Sequence, residues 1–214
     1  MRVERPPRLK ILKYGSYREM PWRNGRGMTR EIAREPRAGE VFAWRLSLAA
    51  VEGDCDFSLF AGHRRALVLV EGTALRLRFR GHGTCHLGPA MRTVRFEGDW
   101  NTHCALPRGP CTDLSLIVRK GLAERGSCIV RAPVVLGIRS ARRLVLPRGL
   151  YGALFALEGS IAISESNGAR RRLLRALDTA LLLPGSRRTL TLERLGTNRA
   201  RLVLLRWRPG RLPG

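Results

Sequence analysis

The residues best placed to do chemistry gather near the start of the chain, in Met20-Pro21-Trp22-Arg23-Asn24-Gly25-Arg26-Gly27-Met28-Thr29-Arg30-Glu31-Ile32. The glycines permit positive φ and close backbone approach, and Asn24 can bond its own backbone or a ligand. Thr29 and Glu31 sit at alternate positions, so an extended chain projects both from one face. The same residue types also suit a plain turn capped by Asn24, with Trp22 plugging one end of a barrel. Farther on, Arg45 and Ser47 share the polar face of the segment from Phe42 to Ala50. An inward arginine is costly to bury without a carboxylate partner, either Glu31 or an anionic ligand. Arg64, beside His63, stands just before an apolar strand, where loops at a barrel mouth carry ligand contacts. Asp113 and Ser115 form a polar pair on one face of a later strand. Together these groups suit recognition of a small acid.

Other chemistries are thinly represented. The four histidines are His63, His82, His86 and His103, and none forms His-x-His. His82 and His86 flank Gly83-Thr84-Cys85 in what reads as a Gly-rich loop, and with His103 or Cys104 they could improvise a metal site. Surface histidines are the simpler reading, so no metal and no cofactor is expected. There is no Gly-x-Ser-x-Gly elbow, no phosphate loop, no dinucleotide fingerprint and no matched acid/base pair. A catalytic alternative would rest on Glu31 as general base toward a bound acid, or on the improvised metal site.

Periodicity predicts strands as the elements that must position these groups. Phe42, Trp44, Leu46, Leu48 and Ala50 alternate with Ala43, Arg45, Ser47 and Ala49, and Leu75, Leu77 and Phe79 alternate with Arg76, Arg78 and Arg80. No segment of convincing length has helical spacing, although Met28 to Arg34 allows a short turn. The chain also resembles itself: Ala66-Leu67-Val68-Leu69-Val70-Glu71-Gly72-Thr73 matches Ala153-Leu154-Phe155-Ala156-Leu157-Glu158-Gly159-Ser160. The offset that carries Glu71 onto Glu158 carries Gly98 onto Gly185 and the strand Asp113 to Arg119 onto Ala200 to Arg206, which implies no net insertion. Each copy reads as an apolar strand, a Glu-Gly hairpin turn, a second strand, a Gly-containing turn and a final apolar strand. The expected fold is all-β, a bicupin of two cupin-like antiparallel β-barrels from an internal duplication. Residues 1–120 are assigned to the first barrel with its pocket and 121–214 to the second, the two forming one compact unit.

Composition narrows the partners. With 40 basic residues, only three of them lysine, against 17 acidic ones, the net charge is +23, and such a chain attracts polyanions. Yet the arginines are scattered, with only short clusters such as Arg142-Arg143, Arg170-Arg171-Arg172 and Arg187-Arg188, and no RNA-binding strand signature, zinc-finger spacing or recognition helix accompanies them. A solvated arginine-rich surface is therefore expected, and nucleic acid is the less favoured partner. No apolar run approaches a membrane span and residues 1 to 20 lack a signal-peptide core, so a soluble cytoplasmic protein is expected. Five cysteines, an odd number with no CxxC pair, are expected as reduced thiols. A two-fold homodimer is the default assembly.

The motifs taken in order resemble the HutD/Ves family: the Pro-Trp-basic-Asn-Gly-x-Gly-x-Thr-Arg-Glu-Ile segment, Phe42-Ala43-Trp44-Arg45-Leu46-Ser47, Phe57-Ser58-Leu59-Phe60-Ala61-Gly62-His63-Arg64, Leu69-Val70-Glu71-Gly72, Phe96-Glu97-Gly98-Asp99 and Asp113-Leu114-Ser115. That resemblance is strong over residues 10 to 120 and implies a cytoplasmic bicupin, one branch of the family being associated with histidine degradation. It implies a non-catalytic pocket in the first barrel for a small carboxylated metabolite such as formylglutamate or urocanate, with a regulatory role. Asn24, Thr29, Glu31, Arg45, Ser47, Arg64 and Asp113 would supply its polar groups, and Trp22 and Phe60 its walls. Two departures bear on the ligand: Arg26 interrupts what is usually a glycine run, and Ser115 stands where the pattern usually has asparagine.

Overall fold

The structure, a computed structural model, describes residues 9–36, 38–39, 41–89, 92–121, 129–165 and 171–210; Cys128 and Arg170 lie outside these. Apart from one 3-10 turn at Tyr14–Ser16, the elements are strands. They divide into two compact units, Tyr17–Pro133 with 208–210, and Val134–Trp207 with 9–16.

In the unit built on Tyr17–Pro133, two open antiparallel sheets lie face to face. The larger runs in the order Arg18–Pro21, Gly27–Glu35, Trp44–Val51, Cys111–Arg119, His63–Glu71, Thr93–Glu97, and the smaller in the order Cys55–Asp56, Thr102–Ala105, Leu75–Phe79, Gly83–Leu87. Val51, Leu67, Leu69, Leu75, Leu77, Phe79, Phe96 and Cys104 fill the space between them. The alternation read in the sequence explains this, because Leu75, Leu77 and Phe79 turn inward while Arg76 and Arg78 turn out. Gly27–Glu35 is extended throughout, so the short turn expected over Met28 to Arg34 does not form.

The other unit repeats the plan. Val134–Ile138 and Tyr151–Glu158 both pair with Ala200–Arg208, and Thr179–Leu182 then Leu9–Leu12 continue the sheet beyond Tyr151–Glu158. Ala141–Leu146, Arg188–Leu195, Ser160–Glu165 and Arg172–Leu174 form the second sheet. Leu136, Leu154, Ile161, Ile163, Leu190, Leu192, Leu202 and Leu204 make its core.

Two expectations, closed barrels and a constant repeat offset, are corrected. Among the described residues no sheet closes into a barrel: the larger sheet of the first copy ends at Arg18–Pro21 and Thr93–Glu97, with Pro21 blunting one edge. Leu9–Leu12 is hydrogen-bonded to Thr179–Leu182 within the sheet of the Val134–Trp207 unit. The repeat offset is not constant either. Thr112 lies opposite Glu71, but it is Arg201, not Arg199, that lies opposite Glu158, so the last strand of the second copy is displaced by an even number of residues and every side chain keeps its face.

The duplication is otherwise carried down to its irregularities. Both copies have a β-bulge just before the Glu-Gly turn, where Val70 and Leu157 are skipped in the pairing. Gly72 and Gly159 have φ of 94° and 77°, a region that costs other residues strain. A Cβ on Gly72 would also stand 2.7 Å from Cys111 Cβ. Gly72→Ala is therefore expected to lower stability by about 1 to 3 kcal/mol, measured by urea denaturation, with Gly109→Ala, at an open positive-φ turn, costing less.

Candidate functional site

The strand Trp44–Val51 is covered on both sides. Its apolar face, Trp44, Leu46 and Leu48, is buried, which leaves Arg45, Ser47 and Ala49 facing the space between the two sheets. Antiparallel register then stacks like-facing residues in rows. Glu31, Ser47, Ser115 and Leu67 form one row; Thr29, Ala49, Asp113 and Leu69 form the next; Arg45, Ile117 and Arg65 form a third. A polar layer thus sits where the rest of the sandwich has its core.

These rows border a cavity of about 380 Å3, lined by Trp22, Asn24, Thr29, Arg45, Ser47, Phe60, Arg65, Asp113 and Ser115 together with Arg23, Asp56, Phe57 and Ser58. The volume lies in the range of small-molecule sites. The indole N–H of Trp22 donates to Thr29 Oγ1 at 2.8 Å, which fixes Trp22 as a wall. Asn24 sits at the exposed rim, its Oδ1 accepting from the Arg26 backbone N–H at 3.0 Å, and this Asx turn leaves the amide N–H2 available. Gly27 is required beside it, because a Cβ there would collide with the Ala50 carbonyl oxygen and crowd the Trp22 ring. Arg26, the departure from the glycine run, does not line the cavity: its guanidinium donates to the Asp54 carbonyl.

Two arginines dominate the interior. Arg45 lies 5.6 Å from the Phe42 ring centroid and 5.1 Å from that of Phe60; Arg65 lies 5.5 Å from Phe60 and 4.9 Å from both Phe57 and Phe96. Aromatic faces hold cations without neutralising them. Burial pulls Arg45 below the ordinary arginine value, with Glu31 opposing and Arg34 adding to the shift. Burial likewise brings Arg65 down to about 10, with Asp113 opposing and Arg45 adding. Asp113, 1% exposed, is pushed up to about 7 by burial, and Arg65 opposes that shift. No salt bridge joins Asp113 to Arg65 or Glu31 to Arg45, and Arg45 Nε, Arg65 Nε, Asp113 Oδ1 and Ser115 Oγ have no hydrogen-bond partner among the described residues. Buried polar groups are ordinarily satisfied, and the described residues leave these four atoms unsatisfied.

Of the residues singled out in the sequence, Trp22, Asn24, Thr29, Arg45, Ser47, Phe60 and Asp113 meet at this cavity. Glu31 lies behind it, 9% exposed, acting on Arg45 through its charge. Arg64 is not part of it. Its Nε donates to Glu97 Oε1 at 2.9 Å, and its neighbour Arg65 enters instead, because successive strand residues face opposite ways. Arg65 sits in an apolar run buried on both faces, so no alternation in the sequence could distinguish the two. The histidines do not assemble: His82 stacks on Trp100, His103 Nδ1 lies 2.7 Å from Asp56, and no three His, Cys, Asp or Glu side chains among the described residues are placed to hold a metal. Cys55, Cys85, Cys104 and Cys111 are free thiols. Among the described residues no helix is long and apolar enough to cross a membrane.

The chain is 37% identical over 110 residues to an uncharacterized 21.2 kDa protein in the hutC 3' region of Pseudomonas putida, which covers 51% of this chain and 57% of that one. It is 36% identical over 113 residues to Protein Ves of Citrobacter koseri, covering 51% and 59%, so the match spans little more than half the length of these curated relatives. Its fold matches the structure of HutD from Pseudomonas fluorescens SBW25 with a TM-score of 0.72 and 25% identity, over 94% of this chain and 99% of that one. Oxalate decarboxylase of Lactobacillus farciminis, 9% identical with a TM-score of 0.67 over 94% and 86%, shares the all-β cupin-like fold alone. The HutD family model matches residues 14–200, and the chain belongs to the HutD family.

Proposed function

We propose that this chain binds a small carboxylated metabolite in the cavity between the sheets of the Tyr17–Pro133 unit, without catalysing its conversion. The duplication supplies the observation that carries this reading. By strand pairing, Asp113 and Ser115 correspond to Leu202 and Leu204, and Arg65 to Gly152. Leu202 and Leu204 are 0% and 4% exposed in a core of leucine, isoleucine and alanine. The same fold is therefore built without the polar layer, and stability alone does not require it. Burying unpaired charge costs free energy, which a bound carboxylate repays by accepting from both guanidinium groups. Phe60 and Trp22 supply an apolar wall for its carbon frame, and Asp113 and Ser115 can meet a second polar group.

Family membership and the hutC-adjacent relative give a histidine-utilisation context. Formylglutamate or urocanate fits the site's size and charge, and regulation of that catabolism is the role this supports. A catalytic version shifts from Glu31, which is not at the cavity wall, to Asp113, whose value near 7 suits a general base.

Isothermal calorimetry with formylglutamate, urocanate and glutamate tests the binding: heat is expected with at least one, and none from folded protein removes the proposal. Arg45→Ala and Arg65→Ala should each weaken binding by about 2 to 5 kcal/mol, whereas Arg64→Ala should leave it unchanged. A second expectation concerns pH. Because Asp113 titrates near 7 when folded instead of near 3.8, the folded protein holds a proton that the unfolded chain has released across that interval. The Asp113 contribution to stability therefore declines as pH rises through it and levels off above about 7. Urea denaturation of Asp113→Asn at several pH values should lack this component, and a slope equal to that of the unsubstituted protein would contradict it.

A further inference from the structure

We propose that the outer face of the small sheet, Cys55–Asp56, Thr102–Ala105, Leu75–Phe79 and Gly83–Leu87, binds single-stranded nucleic acid. Since Leu75, Leu77 and Phe79 point into the core, Arg76 and Arg78 stand on the outside, about 7 Å apart along the strand, and Arg80 continues the file. Cross-strand register places His86 beside Arg76, and Thr84 and His103 on the two sides of Arg78. The segment from Gly83 is thus a paired strand and not the loop read from its glycines. Two adjoining concavities that share Arg78, Thr84 and His103 cover this face.

The charge here is compensated little. Arg30, Arg64, Arg171 and Arg201 pair with glutamates elsewhere, while Arg76, Arg78 and Arg80 make no ion pair among the described residues. Asp56 alone contributes a carboxylate to the two concavities, and it is engaged by His103 Nδ1 at 2.7 Å. At the hairpin end the exposed His82 ring stacks on Trp100 with centroids 4.1 Å apart and planes 11° apart, and Trp100 itself packs against the inward-facing Phe79.

A line of cations on the outer face with one exposed ring, His82, at the hairpin tip supplies the two components of single-strand recognition, a basic track for the backbone and an aromatic face for a base. Duplex recognition through a groove needs a protruding element, and a four-stranded sheet face offers none. Arginines in file, unlike the convergent pair in the cavity, suit a repeating anion better than one small phosphate.

The test is fluorescence anisotropy with a labelled oligothymidine strand of about twenty nucleotides, titrated across salt concentrations. Binding is expected to persist at physiological ionic strength. Arg76→Ala/Arg78→Ala should weaken it several-fold and reduce the slope of log affinity against log salt by about 1.4, because each phosphate contact on a single strand contributes about 0.7. Arg142→Ala/Arg143→Ala removes the same charge from an exposed strand of the other unit and should leave affinity and slope unchanged. His82→Ala should weaken binding with no change in slope. Absence of binding, retention of the full slope in the first variant, or equal losses in the two arginine double variants would overturn the proposal, the last by assigning the effect to net charge alone.

Discussion

Two guanidinium groups in one cross-strand row, Arg65 buried and Arg45 half-buried, are the constraint on which the rest of the cavity depends. Arg45 and Arg65 lie in one cross-strand row, separated by Ile117, and like charges so placed repel in a poorly screened interior. Arginine does not escape by losing its proton. What surrounds the pair follows from that: aromatic rings against both cations, Glu31 behind Arg45, Asp113 near Arg65, and the cavity between the sheets. Among the described residues the neutralisation is incomplete, which is the ground for the proposed carboxylate ligand.

Duplication makes the cost visible. One copy closes its sheets over Leu136, Leu154, Leu202 and Leu204, which is what hydrophobic burial favours. The other interrupts an equivalent core with Asp113, Ser115, Ser47 and two arginines, keeping its apolar packing to Leu67, Leu69, Leu75, Leu77 and Phe96 at one side. The two halves thus differ in one layer, leucine, isoleucine and alanine in one and polar groups bordering the cavity in the other. Surface charge forms a separate layer, carried on the outward faces of strands whose inward faces are apolar, as in Leu75–Phe79.

Much of this was legible in the sequence because the signals were local. Alternation in Phe42 to Ala50 placed Arg45 and Ser47 on one face, Asn24-Gly-x-Gly announced a tight turn, and the Glu-Gly repeat announced two copies. What escaped depended on distant partners. Closure of a sheet is decided by which edges find each other, and nothing local in Leu9–Leu12 says that it pairs with Thr179–Leu182. The choice between Arg64 and Arg65 was hidden because Ala66 to Leu69 is buried on both faces, so the two-residue period vanishes where it was needed. The expected constant offset failed in the last strand for a related reason: loops absorb insertions without disturbing which face a residue occupies.

The most direct measurement is electron density in crystals of this chain grown with formylglutamate. A carboxylate within hydrogen-bond reach of both Arg45 and Arg65, beside the Phe60 ring, is the predicted result. Density for the ligand elsewhere, or a cavity in which the two guanidinium groups turn away from each other toward solvent, would contradict it.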